Sequence, residues 1–253
     1  MSWAQNKSAL ARAAFSLAVL TGVVGASAAS AEDAIIVKST MREYPVGSKI
    51  DDEATITLAT GDRISVLTRR GSRSMKGPGT FVVGANPKSN RNRFTNLKRR
   101  GASSRSDAGA TRNARVAKAG RPSRPKVFYV DLEMSGRVCL TDTSNVALWR
   151  PKADKPASYV VNGVDLAAPV AVSFAADQTL APPEGAPLAL SGGATYTISG
   201  GSSGPGPAMT VASVTVIDLG RDYQRADQLA QAFFDNGCMA QFEIMSERLV
   251  ADG

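Results

Sequence analysis

Between Gly84 and Lys126 the chain carries thirteen Lys and Arg residues against a single acid, Asp107. A stretch this charged, rich in Ser, Gly, Asn and Ala, buries too little apolar surface to offset the entropy of ordering it. The tract carries +12, the first thirty-one residues +2 and the whole chain +8, so the remainder sums to −6. Basicity therefore belongs to one tract and not to the fold around it. The expectation is a flexible basic linker over residues 84–126, with a helical turn around Phe94 to Arg100, dividing the chain into two folded parts.

Both flanks read as β structure. From Ala34 to Val83, short apolar and polar runs (AIIVKS, ATITLAT, RISVLTRR, TFVVG) alternate with turn chemistry at Pro45-Val46-Gly47, Thr60-Gly61-Asp62, Arg70-Gly71-Ser72 and Gly77-Pro78-Gly79. Low aromatic content (6%) and frequent Gly and Pro favour short strands and turns over long helices. After Val127 the runs VFYVD, GRVCLTD, NVALWRP, ASYVVNG, VAVSFAAD, PLALSG, ATYTISG and MTVASVTVIDL resume the pattern. The period then changes. Tyr223, Ala226, Leu229, Ala230, Phe233 and Phe234 fall on one helical face that Asn236-Gly237 ends, and Met239, Phe242, Met245 and Leu249 mark a second short helix. The predicted fold class is mainly β: a small β domain over 32–83, the linker over 84–126, and a β-sandwich-like domain with two C-terminal helices over 127–253.

Residues 1–31 place Lys7 and Arg12 before an apolar run from Ala13 to Val24, then the small residues GASAASA. That order reads as a signal peptide cleaved after Ala28 or Ala31, and the run is shorter than the roughly 20 residues of a membrane span. The expected location is the periplasm or the secreted fraction, with no transmembrane segment after cleavage. In an oxidising compartment the two cysteines, Cys139 and Cys238, are expected to pair as a disulfide.

Within the first β region, ATITLATGDRISVLTRRGSRSMKGPGTFVVG resembles the FecR-like periplasmic domain. Leu58, Gly61, Asp62, Val66, Gly71, Gly77, Gly79 and Phe81 stand at the positions that carry the likeness. The resemblance covers about thirty residues, and implies an envelope signal relay or β scaffold without catalysis.

The chain has no histidine, which removes Ser-His-Asp and Cys-His catalysis and His-ligated metals. Ser123-Arg124-Pro125-Lys126 matches a Ser-x-x-Lys element, but Pro122 and Pro125 prevent a helix from presenting both side chains. GSRSMK (71–76) lacks the Gly-Lys-Ser/Thr ending of a phosphate-binding loop and reads as hairpin. Asp131 and Glu133, two apart on a strand, and the cluster Asp51-Asp52-Glu53 are the remaining carboxylate candidates, and both read as turn or edge residues. Ten residues separate Cys139 from Trp149, as in immunoglobulin domains, but Cys238 lies too far beyond and in a helical pattern, so Trp149 reads as core. The C-terminal helix pair resembles a helix-turn-helix in outline. Glu243 and Glu247 outnumber Arg248 there, a sign that phosphates would repel, and nucleic acid is not expected as a partner.

Two functional readings remain, neither with a cofactor or metal. One is a non-enzymatic interaction or scaffold protein that binds other envelope proteins. The other binds anionic envelope polymers (lipopolysaccharide phosphates, anionic lipid headgroups, acidic polysaccharide) through Lys98, Arg99, Arg100, Arg112 and Arg115 of the basic tract. A hydrolase using carboxylates alone is the remote third.

Overall fold

The structure, a computed structural model, describes residues 32–99, 126–181, 187–201 and 210–250. The signal-peptide reading (1–31) falls outside them, as does most of the basic tract. The described chain is mainly β. A first antiparallel sheet runs in the order β2 (Lys49–Asp51), β1 (Asp33–Ser39), β4 (Arg63–Thr68), β5 (Gly71–Lys76), and β3 (Thr55–Leu58) pairs separately with β6 (Gly79–Val82). GSRSMK thus forms β5, in register with β4 from Arg63 opposite Lys76 to Thr68 opposite Gly71.

The larger sheet has five strands in the order β11 (Val170–Phe174), β10 (Ala157–Gly163), β13 (Thr195–Gly200), β14 (Thr210–Asp218), β8 (Gly136–Leu140). All its neighbours are antiparallel except β14 and β8. Strict alternation in β13 and β14 turns Tyr196, Ile198, Ala212, Val214 and Val216 into the core and leaves the threonines and serines between them outward. A three-stranded sheet of β12 (Leu180–Ala181), β9 (Leu148–Trp149) and β7 (Val130–Asp131) completes the strands.

Strand β1 breaks that alternation, because Ala34 to Val37 are all buried. The reason is that both faces of the first sheet are covered. Ala34 and Ile36 pack with Ile56, Leu58, Ile64, Val66 and Met75, while Ile35, Val37 and Leu67 join the same core cluster as Phe94, Phe128, Val138, Leu229 and Phe242. The helices α2 (Ala226–Asp235) and α3 (Met239–Leu249) supply that second cover: α2 packs on β1 and β4, and α3 on β1 and β8. A buried hydrogen bond from Ser72 Oγ to the Leu249 carbonyl (2.9 Å) spans the two β regions. At Gly47, a Cβ would meet the Phe234 ring at 2.1 Å and the backbone has φ +89°, so the β1–β2 turn accepts only glycine beneath α2. The expected two independent domains therefore share one core, within a single unit from Ala31 to Gly253.

Folded structure also reaches into the tract read as linker. Lys88 bridges to Ser72, and Arg91–Lys98 forms helix α1, which buries Phe94 and Leu97, three residues apart on one face, and packs on α3. Burying those two side chains contributes about 1.5–3 kcal/mol each. That is enough to hold a helix that its charge alone would not.

The C-terminal helices are joined through a Schellman turn. Cys238 N–H donates to the Phe233 carbonyl (2.8 Å) and Gly237 N–H to the Phe234 carbonyl (3.0 Å), with Gly237 at φ +70°. Cys238 then opens α3 and is disulfide-bonded to Cys139 of β8, with 5.9 Å between their Cα atoms. Beside the bridge, fully buried Gln241 donates Nε2–H to the carbonyls of Val127 and Cys139 and accepts from Cys139 N–H, each at 2.7 Å.

Candidate basic cleft at helix α1

Four segments meet around a cleft of about 1580 Å³: the β4–β5 turn, helix α1 with Ser89 and Asn90 before it, Thr141–Asp142 after β8, and the approach to α2. Its walls carry seven cations, from Arg69 and Arg70 on the turn through α1 to Arg225, against the carboxylates of Asp142 and Asp222.

These cations are not equivalent. Arg69 pairs with Glu32, whose carboxyl this hydrogen bond holds below its ordinary range. Arg70 donates to the Gly84 carbonyl (3.0 Å) and lies 3.5 Å from Asp52. Arg225 pairs with Asp227. Lys98, with its side chain only 13% exposed, contacts Asp222 at 3.0 Å and the Tyr223 carbonyl, and its ammonium sits 5.0 Å from the Phe94 ring centroid. Arg91, Arg93 and Arg99 are exposed, and their side chains make no hydrogen bond or ion pair among the described residues.

Helix α1 is built against its own electrostatics. The first N–H groups of a helix lack internal acceptors and carry partial positive charge, so acids are favoured there. Its first turn has no acid and instead carries Arg91 and Arg93, an arrangement that costs about 0.3–1 kcal/mol per charge. The N-cap residue, Asn90, makes no side-chain cap bond, and its Nδ2 is buried without an acceptor although the residue lines the cleft. Residue 90 is 8% exposed.

At the other end of α1 the chain returns to where it left. Val127 N–H donates to the Leu97 carbonyl (3.1 Å) and Lys126 Nζ to that of Asn96 (2.7 Å), so the described residues on the two sides of 100–125 meet at the end of α1. Of the expected polyanion contacts, Lys98 and Arg99 line the cleft, while Arg100, Arg112 and Arg115 lie outside the described residues. Lys98 is spent on Asp222, and the sequence reading missed Arg91, Arg93 and Asn90. Their signal was present as an Asn-Arg-Asn-Arg start ahead of Phe94 and Leu97.

The carboxylate candidates are held elsewhere. Asp131 Oδ1 accepts from Glu133 N–H (2.9 Å), which closes a turn, and Glu133 Oε1 accepts from Tyr159 (2.8 Å). Burial and that bond push the Tyr159 phenol well above its usual range. Asp51 closes a similar turn onto Glu53, and Asp52 is the partner of Arg70. Among the described residues no group of three or more His, Cys, Asp or Glu converges to hold a metal ion, and no helix is long and apolar enough to cross a membrane. Trp149 is core, 2% exposed. Comparison with family models, curated proteins and solved structures finds no match to this chain.

Proposed function

We propose that this chain is an exported, non-catalytic protein of the bacterial envelope that binds an anionic polymer in the cleft beside α1. The observation that carries the reading is the set of cations whose side chains are unpaired among the described residues, Arg91 and Arg93 at the start of α1 and Arg99 at its C-cap, on a helix whose positive end has no acid of its own. A surface meant only to stay soluble scatters its charges and pairs them. Residues 100–125 carry seven further Lys and Arg residues, Arg100, Arg112 and Arg115 among them. Anionic lipid, lipopolysaccharide phosphate and acidic polysaccharide are the polymers that an envelope offers, and the FecR-like resemblance and the signal-peptide reading of residues 1–31 are both in keeping with that setting.

Binding of the mature chain to polyphosphate or polygalacturonate should weaken steeply with added salt, because each neutralised anion releases condensed counterions. Affinity that is indifferent to salt would assign binding to another surface. A second reading, an interaction module for envelope proteins, is favoured by the β10–β11 hairpin. Its tip exposes Val164 (99%) beside Ala167, Ala168 and Pro169. Capture of an envelope protein by the mature chain, lost on Val164→Asp and retained on Arg91→Gln, would favour it over the first.

A further inference from the structure

The cleft holds two kinds of unsatisfied group, and they occur together at one end of α1. The exposed guanidinium groups are a long-range attraction that any anion would feel. The N–H groups of Arg91, Asn92 and Arg93 and the buried Nδ2 of Asn90 are short-range donors, and hydrogen bonds of this kind select geometry as well as charge. The other two described helices carry no basic residue in their first turn. Cys238 and Gly237 close the last carbonyls of α2, and the first turn of α2 carries Asp227. None of the three described helices has a side-chain cap bond and α3 too lacks a first-turn acid, but α1 alone among them places two arginines in its first turn beside a buried amide without an acceptor.

We propose that Asn90 and the first-turn N–H groups of α1, flanked by Arg91 and Arg93, form a seat for one phosphate group, the monoester terminus of the anionic ligand. The inference rests on the reading of the cleft as a polyanion site and names the chemistry that this site prefers. A phosphomonoester presents three terminal oxygens and up to two negative charges, which suits several convergent donors at a positive helix end. A phosphodiester or a carboxylate presents two such oxygens and a single charge, and leaves a donor unmet. The same group is found free as inorganic phosphate or as a lipid headgroup.

The test uses the full mature chain, Asn90→Leu and Asn92→Asp. Asn90→Leu keeps every charge and removes no side-chain hydrogen bond made among the described residues, so its melting temperature should match that of the parent. The probes are inorganic phosphate, phosphatidylcholine vesicles doped with phosphatidic acid (a monoester), the same vesicles doped with phosphatidylglycerol (a diester), and polygalacturonate. Loss of one hydrogen bond to a charged group corresponds to about a tenfold weakening. Asn90→Leu should weaken inorganic phosphate or phosphatidic acid by about that factor, and leave phosphatidylglycerol and polygalacturonate within about twofold. The arm that responds identifies the source as free phosphate or headgroup. Asn92→Asp, which places a carboxylate in the first turn, should raise the melting temperature and lower phosphate affinity together. If Asn90→Leu weakens all four probes alike, or none, the seat is overturned and the polyanion reading stands. If the parent chain binds no probe, both fall.

Discussion

Arg150 and the arginines of α1 show the same side chain treated in two opposite ways. Arg150 is 2% exposed and forms no ion pair among the described residues, yet its guanidinium is satisfied. It donates to the carbonyls of Gln178, Lys155 and Ala175 at 2.7 Å each, and sits 5.0 Å from the Phe174 ring centroid. Burial pushes its pKa down, but the fork of donors spreads the charge over three fixed dipoles. Beside β8, Gln241 meets the carbonyls of Val127 and Cys139 in the same way, next to the Cys139–Cys238 bridge. Arg91 and Arg93 meet none of this: they sit where the helix dipole disfavours them and beside an amide with no acceptor. The contrast between a buried cation that is fully met and exposed ones that are unpaired among the described residues supports the proposed anion-binding role of α1.

Cys238→Ser gives the largest expected effect on the well-satisfied region. Closing a loop of 99 residues is worth about 4–5 kcal/mol in the chain-entropy treatment, less any native strain. Because Ile35, Val37 and Leu67 share a core cluster with the C-terminal helices, the loss should register in both β regions as one cooperative transition. Denaturant unfolding followed by a probe in each region checks it, and two separate transitions would restore the two-domain picture.

Arg150→Leu comes next. It removes three charge-assisted hydrogen bonds to part-buried carbonyls and should cost about 1.5–3 kcal/mol or more, with no change in anion affinity measured below the melting transition. Chemical denaturation and a polyphosphate titration on the same sample separate the two effects. A mild cost would mean that water satisfies the carbonyls as well as the guanidinium does.

The smallest effect concerns pH. The Glu32 carboxyl is held below its ordinary value of 4.5 by Arg69, so the pairing contributes stability above that value and loses it as pH falls through the lowered one. Protonation of Glu32 frees Arg69 at the cleft edge, and polyphosphate affinity per unit net charge should rise on acidification. Glu32→Gln should reproduce that rise at neutral pH; an unchanged affinity in the variant removes Arg69 from the binding surface.

Much of the fold was legible in residue order. The strands around Ile35, Val66, Val138 and Val214 announce themselves by alternation and turn chemistry, and the Asn236-Gly237 stop fixes where α2 ends. The disulfide follows from two cysteines in a chain read as exported. The shared core was not legible, since which face of β1 meets which helix is a matter of tertiary packing that a strand pattern does not encode. Helix α1 was legible only as a turn, because a charge count over 84–126 averages away the one apolar pair, Phe94 and Leu97, that anchors it. Gln241 gave no signal at all, as one polar residue on an apolar helical face is indistinguishable in sequence from a solvent-facing position. In the cleft, the tract pointed to Lys98 and Arg99. What separates Lys98 from Arg91 is the position of Asp222, more than a hundred residues away, which only the folded chain reveals.

The most direct test of the account is a paired measurement on Arg91→Gln/Arg93→Gln in the full mature chain: unfolding free energy, and the salt dependence of polyphosphate binding. If these arginines serve a ligand, stability should stay level or rise by about 0.3–1 kcal/mol for each charge removed from the positive helix end. Affinity should fall together with the salt slope, by about one in slope for each lost contact. Lower stability with unchanged affinity and slope would contradict it, and would make α1 a piece of scaffold whose arginines hold the fold.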